Sequence, residues 1–267
     1  MPSVISVVNH QVLGEKLNSD SELLAVLGNI RVVLDHTSHP GNIGSAARAM
    51  KTMGLSHLHL VEPRLFPHRE ADALAVSAAD VLANAQVHAT LDDALAGCAF
   101  AVGLTARSRD LMHETHDPRS AARQLLPLAR SQPVALLFGN ETAGLSNEEL
   151  RKCQWRVAIP TNPDCSSLNL AAAVQVMAYE LRMAALEQQT PTVADIPKLA
   201  TLDELERFYQ HLEQALVAID FLDPEEPKLL MPRLRRLFAR GRVEQEEFHI
   251  LMGILKQIRR ATGGHTP

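Results

Sequence analysis

Cysteine is scarce: Cys98, Cys153 and Cys165 are the three among 267 residues. An odd number at these spacings fits neither a disulfide framework nor a zinc site, so reduced thiols in a cytosolic protein are expected. No apolar run approaches the roughly 18–20 residues that a bilayer span requires. The start of the chain has no basic segment leading into an apolar core, so no secretory leader is expected. Excess positive charge is missing too. With 26 Lys and Arg against 31 Asp and Glu the net charge is −5, which is unfavourable for a phosphate-rich partner. No internal repeat or low-complexity tract is visible. His10, His36, His39, His57, His59 and His68 show no paired ligand spacing, so no metal is expected.

What is present suits an ordinary globular chain of one or two domains, with 46% apolar and 21% charged residues. From Ile30 onward a regular alternation emerges. Ile30–Leu34, His57–Val61, Cys98–Val102, Val134–Phe138 and Trp155–Ile159 are short apolar runs that predict strands, and Gln86–His88 is a further short candidate. Between them the pattern predicts helices over 43–53, 71–84, 91–96 and 118–130, a short one begun by Ser146 with Glu149 three residues on, and a long one over 168–187. Such alternation indicates an α/β fold, a parallel sheet with helices on both faces, over 29–188. Residues 1–28 form an N-terminal extension with a possible short strand at Val4–Val8. Residues 189–200, with Pro191 and Pro197, read as a linker, and 201–267 as a small helical C-terminal domain broken near Pro224, Pro227 and Gly241. Within that domain Lys228–Arg242 holds Lys228, Arg233, Arg235, Arg236, Arg240 and Arg242 and no acid. This is either a solvated helix face or a phosphate-binding patch.

Three Gly- or Pro-containing loops each follow a strand, where parallel sheets bind ligands. The first, His39–Arg48, has Gly41 and Gly44, which either make a tight strand-to-helix turn or let a ligand approach the backbone. It lacks the Gly-Lys-Ser/Thr of a Walker loop and the Gly-x-Gly-x-x-Gly of a dinucleotide site. Arg48 is either a surface ion-pair partner or a guanidinium aimed at a phosphate or a hydroxyl. In the second, Phe138–Ser146, Gly139 would let a flat ligand lie on the backbone, and Glu141 would cap neighbouring N–H groups or touch a ligand. In the third, Ile159–Asn169, Ser166, Ser167 and Asn169 could cap the next helix or offer amides to an adenine edge.

Singly these loops say little; their order and spacing say more. Pro-x-Asn-Ile-Gly-x-x-x-Arg at 40–48, Gly-x-Glu-x-x-Gly-Leu at 139–145 and Ile-Pro with Ser-Ser-Leu-Asn-x-Ala-x-Ala at 159–173 resemble the three motifs of the SPOUT RNA methyltransferases. Asn147-Glu-Glu-Leu, Asn162-Pro-Asp-Cys-Ser-Ser-Leu-Asn-Leu-Ala and Tyr179-Glu-Leu-Arg182 are similar to the TrmJ type within that class. The resemblance implies a SPOUT fold with a C-terminal trefoil knot, S-adenosyl-L-methionine as cofactor, and 2′-O-methylation of tRNA at nucleotide 32 of the anticodon loop. It also implies a cytoplasmic homodimer whose arginine reaches the partner's cofactor site. Carried onto this sequence, the cofactor contacts are Leu104, Thr105, Ala106, Gly139, Ile159, Ser166, Ser167 and Leu168; Arg48, Asn42, Glu141 and Asn169 fall at the reacting centre. Because a guanidinium holds its proton tightly, Arg48 is expected as a cation that stabilises charge on the ribose oxygen rather than as a base. Arg31, Arg64, Arg107 and Arg109 are candidate RNA contacts. Three other readings stay open at this point: a SPOUT enzyme acting on rRNA or another tRNA position, a non-catalytic RNA-binding scaffold, and a nucleotide-phosphate enzyme built on Gly41 and Gly44.

Overall fold

The computed structural model describes residues 22–106, 114–187 and 197–262. Val4–Val8, most of the expected linker, Arg107 and Arg109 lie outside these residues. Among the described residues, seven strands form one parallel sheet: β1 (Ile30–Asp35), β2 (His57–Val61), β3 (Gln86–His88), β4 (Phe100–Leu104), β5 (Glu114–His116), β6 (Val134–Phe138) and β7 (Trp155–Val157), in the order β3-β2-β1-β6-β4-β7-β5.

The side-chain alternation of each central strand feeds two cores. Ile30, Val32 and Leu34 of β1, Val134, Leu136 and Phe138 of β6, and Phe100, Val102 and Leu104 of β4 face one side. There they pack against α1 (Pro40–Met53), α2 (Arg69–Ala75), α3 (Ala79–Ala83), α5 (Pro118–Ser131) and α7 (Leu170–Glu187). Val33, Ala135, Leu137 and Ala101 face the other side, against α4 (Leu91–Leu95) and α6 (Asn147–Arg151). Both faces are covered, which is why the strands read as unbroken apolar runs. The capping box expected at Ser146 and Glu149 is present at the start of α6. The single helix expected over 71–84 is divided by a 3-10 turn at Val76–Ala78, because Val76 takes a left-handed backbone (φ 53°).

The C-terminal helices α8 (Leu202–Ala218), α9 (Leu230–Gly241) and α10 (Gln245–Ala261) enclose a small core of their own around Phe208, Tyr209 and Phe248. They are joined to the sheet domain by specific bonds. The Gln132 side chain donates to the Leu199 carbonyl (2.9 Å) and accepts from its N–H (2.7 Å). Leu202 N–H reaches the Cys98 carbonyl (2.8 Å), and Arg242 lies 5.0 Å over the Trp155 ring. Among the described residues no helix is long and apolar enough to cross a membrane.

Candidate active site

The carboxyl ends of β4, β6 and β7 open into one cavity, the place where parallel sheets bind ligands. Leu104, Thr105 and Ala106 leave β4; Gly139 leaves β6; Ile159, Ser166, Ser167 and Leu168 follow β7. All eight residues expected to touch the cofactor therefore line a single space, although they come from three chain segments. Its floor is apolar and its rim polar. Leu168 stands 41% exposed at its edge, an apolar side chain that a flat ring would cover. The long third loop holds its shape through Thr161, whose hydroxyl donates to the Ser166 carbonyl (3.1 Å), and Asn162, whose side chain accepts from Asp164 N–H (3.1 Å).

Gly139 lines the cavity, but its main demand is internal. The 139–144 loop folds back so tightly that a Cβ at Gly139 would meet the Gly144 carbonyl carbon at 2.4 Å. Gly44 answers to packing as well, since a Cβ there would lie 2.1 Å from the Ala71 carbonyl oxygen. Gly41 faces Glu70 and Leu74 in the same way. These two glycines thus let α1 approach α2, and neither lines the cavity. The reading of them as a ligand approach is corrected accordingly.

The first loop joins the cavity through hydrogen bonds instead. Glu141, on the cavity wall, accepts from Ser38 N–H (2.9 Å), His39 N–H (3.2 Å) and the Asn42 amide (2.9 Å). Burial opposes the charge on Glu141, but these donors outweigh it and hold the carboxyl below its ordinary value. The Asn169 amide donates in turn to Asn42 Oδ1 (2.9 Å), while its own oxygen caps α7 by accepting from Ala171 N–H (2.9 Å). Asn42, Glu141 and Asn169 are therefore one bonded chain that ties all three motifs together. Asn140 adds a parallel tie, donating to the His36 carbonyl (2.7 Å) and to Ser38 Oγ (2.8 Å); it was missed because its partners lie a hundred residues away.

Arg48 is the exception. It projects from the exposed side of α1 and does not line the cavity. Its side chain makes no ion pair or hydrogen bond among the described residues. Arg31 donates through its guanidinium to the carbonyls of Ala94 and Ala96. Arg64 is exposed.

A cluster behind the first loop was also invisible in the sequence. Asp35, His36 and Glu149 bring ligand-type atoms within 4.8 Å of one another, although Glu149 is distant in sequence. His36 Nδ1 meets Asp35 Oδ2 at 2.8 Å and His36 Nε2 meets Glu62 Oε2 at 3.0 Å. Burial, with Glu149 adding repulsion and His36 opposing it, raises the Asp35 carboxyl to about 6. The bond to Asp35 raises the His36 imidazole above its ordinary value. The cluster therefore sets one imidazole among the carboxyls of Asp35, Glu62 and Glu149, next in the chain to the loop that carries Ser38 and His39.

A parallel sheet with a cavity at its strand carboxyl ends, walled by apolar side chains, backbone and small polar groups, defines an α/β protein with a ligand site. Comparison with known proteins narrows the class. Residues 29–179 match the SpoU rRNA Methylase family, and residues 203–267 match the TrmJ tRNA methyltransferase C-terminal domain. The tRNA (cytidine/uridine-2′-O-)-methyltransferase TrmJ of Klebsiella pneumoniae is 52% identical over 243 residues, covering 90% of this chain and all of the relative. The Salmonella typhimurium protein of the same name is 52% identical over 242 residues, with the same coverage. The crystal structure of TrmJ from Z. mobilis superposes with a TM-score of 0.75 at 32% identity, covering 86% of this chain and 98% of that one. The chain belongs to the SpoU methylase family, with the TrmJ-type C-terminal domain, and is a methyltransferase. S-adenosylmethionine is the cofactor such a methylase takes. The cavity fits it: apolar Leu104, Ile159 and Leu168 can cover a ring, and Thr105, Ser166 and Ser167 offer polar groups at the rim.

Proposed function

We propose that the chain is a cytoplasmic tRNA 2′-O-methyltransferase that modifies the ribose of nucleotide 32 and works as a homodimer with sites shared across the two-fold axis. One observation carries the reading. Among the described residues no Lys or Arg lines the cavity, while Arg48 stands exposed with no carboxylate partner on the same molecule. A site that must steady negative charge on a ribose oxygen needs a cation. A second copy of the chain can bring its Arg48 there. The exposed apolar stripe of Tyr179, Met183 and Leu186 on α7, spaced at i, i+4 and i+7, supports an interface on this side of the molecule. Two further parts of the reading are the trefoil threading of the segment that leads into α7 and the division of the chain into 29–188, 189–200 and 201–267.

When bound, S-adenosylmethionine supplies a methyl group already activated on a sulfonium. The residues of this chain then contribute position and charge. The cavity residues would hold the donor, and Asn42 and Asn169 would stand beside it through their bonded chain to Glu141 on the wall. Asn42, held by Glu141 and Asn169, presents a fixed amide to the ribose. Glu141, kept ionised by its three donors, anchors that amide and does not exchange the proton. The arginine from the partner subunit stabilises the negative charge that grows on the 2′-oxygen as the carbon–oxygen bond forms and the hydroxyl proton leaves to solvent.

A mixed dimer tests this arrangement. One subunit carries Arg48→Ala with its cavity intact; the other keeps Arg48 but carries Gly139→Val, which cannot fit against Gly144. Each homodimer is expected to be inactive. The purified heterodimer is expected to regain about half the wild-type turnover, because one of the two symmetric sites is complete. A dead heterodimer, or Arg48→Ala homodimers that stay active, overturns the shared site.

A further inference from the structure

The basic segment 228–242 divides into two sets once it is folded. Arg235 and Arg242 are used internally. Arg235 makes a two-pronged ion pair with Glu206 (2.6 and 2.7 Å) and lies 4.4 Å over the Tyr209 ring, fastening α9 to α8. Arg242 covers Trp155 and fastens the end of α9 to the sheet domain. The remaining arginines, Arg233, Arg236 and Arg240, are exposed and spaced by three and four residues, so they form one stripe along α9. Among the described residues none of their guanidinium groups meets a carboxylate.

The stripe does not end with the helix domain. Arg236 and Arg240 share a shallow cleft with Arg151, the last residue of α6 in the methyltransferase domain. Arg151 is exposed and likewise has no ion-pair partner among the described residues. The one carboxylate on the cleft wall besides the paired groups is Glu114, which sits 3.2 Å from His116. α6 leads away from the Gly144 wall of the cofactor cavity over about 7.5 Å, so Arg151 at its end stands beside Glu114 and Gln154, near the amino ends of β5 and β7. The arginines therefore trace a line from α9 across the domain junction onto the methyltransferase domain. The stripe from Arg233 to Arg240 is about 10 Å long, roughly three nucleotides of a stacked strand.

We infer that Arg151, Arg233, Arg236 and Arg240 form a composite phosphate track that binds the RNA backbone across both domains, outside the cofactor cavity. The inference rests on the reading of the substrate as RNA. It explains how a chain with net charge −5 holds a polyanion: the exposed arginines are gathered on one face, while Glu206 is taken up by Arg235. Because Arg235 and Arg242 brace α9 from below, the track is presented on a rigid helix.

The test compares the full-length dimer with Arg236→Gln/Arg240→Gln and Arg151→Gln/Arg236→Gln variants, using unmodified tRNA as probe. Arg259→Gln/Arg260→Gln, at the exposed end of α10, is the control for general charge. Each track variant is expected to raise the KM for tRNA about tenfold or more, with kcat at saturating tRNA and S-adenosylmethionine affinity retained. The log–log salt slope of tRNA binding should fall by about 1–2 per pair. Lysine at 236 and 240 should restore most of the affinity, because phosphate accepts a point charge, and unchanged thermal unfolding shows that the variants fold. Track variants that bind tRNA like the wild type, or a control pair that loses as much affinity, overturn the track while leaving the methyltransferase reading intact. A wild-type protein that neither binds nor methylates tRNA overturns both.

Discussion

Glu141 is the residue through which the first motif is fastened to the second, and removing it gives a worked prediction. The carboxylate accepts from Ser38 N–H, His39 N–H and the Asn42 amide at 2.9–3.2 Å. A hydrogen bond to an ionised group contributes about 1.5–3 kcal/mol when buried. Glu141 is only half-buried, so water can replace part of what is lost, and about 1 kcal/mol per bond is the fitting value. Glu141→Ala should therefore cost about 3 kcal/mol. Glu141→Gln, which keeps one acceptor oxygen but turns an amide N–H toward the donors, should cost about 1–2 kcal/mol. Urea unfolding followed by fluorescence of Trp155, the single tryptophan and 3% exposed, measures both. The same variants should lose turnover more steeply than donor affinity, because Asn42 is released while most of the cavity wall remains. If both variants unfold within about 0.5 kcal/mol of the wild type, the scale of a neutral surface change, the three donors are not what holds the loops together.

Gly44→Ala should destabilise the fold by about 1–3 kcal/mol without changing cavity residues, because the new methyl collides with the Ala71 carbonyl and forces α1 from α2; thermal unfolding checks this, and a neutral result would show that the helices part freely. The Asp35 group predicts a pH dependence. Folding raises the Asp35 carboxyl to about 6 and raises His36 as well, so the native state holds these protons more tightly than the unfolded chain. Their stabilising contribution is complete at low pH and is lost as pH rises through the folded values. Asp35→Asn removes the carboxyl and the bond that raises His36. The stability of that variant relative to wild type should therefore improve between pH 5 and pH 8; a gap that stays constant over this range contradicts the assignment.

The parts of the fold that were legible in the sequence are those governed by local pattern. β2 and β6 lie where the apolar runs place them, and β1 within a residue, since short apolar runs between turn formers leave little choice. β4 is displaced by two residues, to Phe100–Leu104, because its register is set by pairing of Phe100 with Val134 rather than by where apolar residues begin. β5 left no trace in the pattern. Glu114, Thr115 and His116 are polar, and only pairing with Trp155–Val157 at the sheet edge makes them a strand. The break at Val76 was hidden because nothing nearby announces a left-handed β-branched residue. In the site, motif spacing pointed to the cavity residues, yet the reasons behind several of them were different. Gly41 and Gly44 serve helix contact, and Gly139 serves loop closure. The bonds that make Glu141, Asn42 and Asn169 one unit span about a hundred residues or more, beyond the reach of any local pattern.

The central claim is that this chain places a methyl group on a ribose oxygen of tRNA. Purified protein incubated with methyl-labelled S-adenosylmethionine and an unmodified tRNA transcript, followed by alkaline and nuclease mapping of the label, tests it directly. The expected outcome is one labelled nucleotide, at position 32, whose 3′ linkage resists alkali because its 2′-oxygen is blocked. Label carried on a base, or no label on any tRNA while the protein binds the donor, would contradict it.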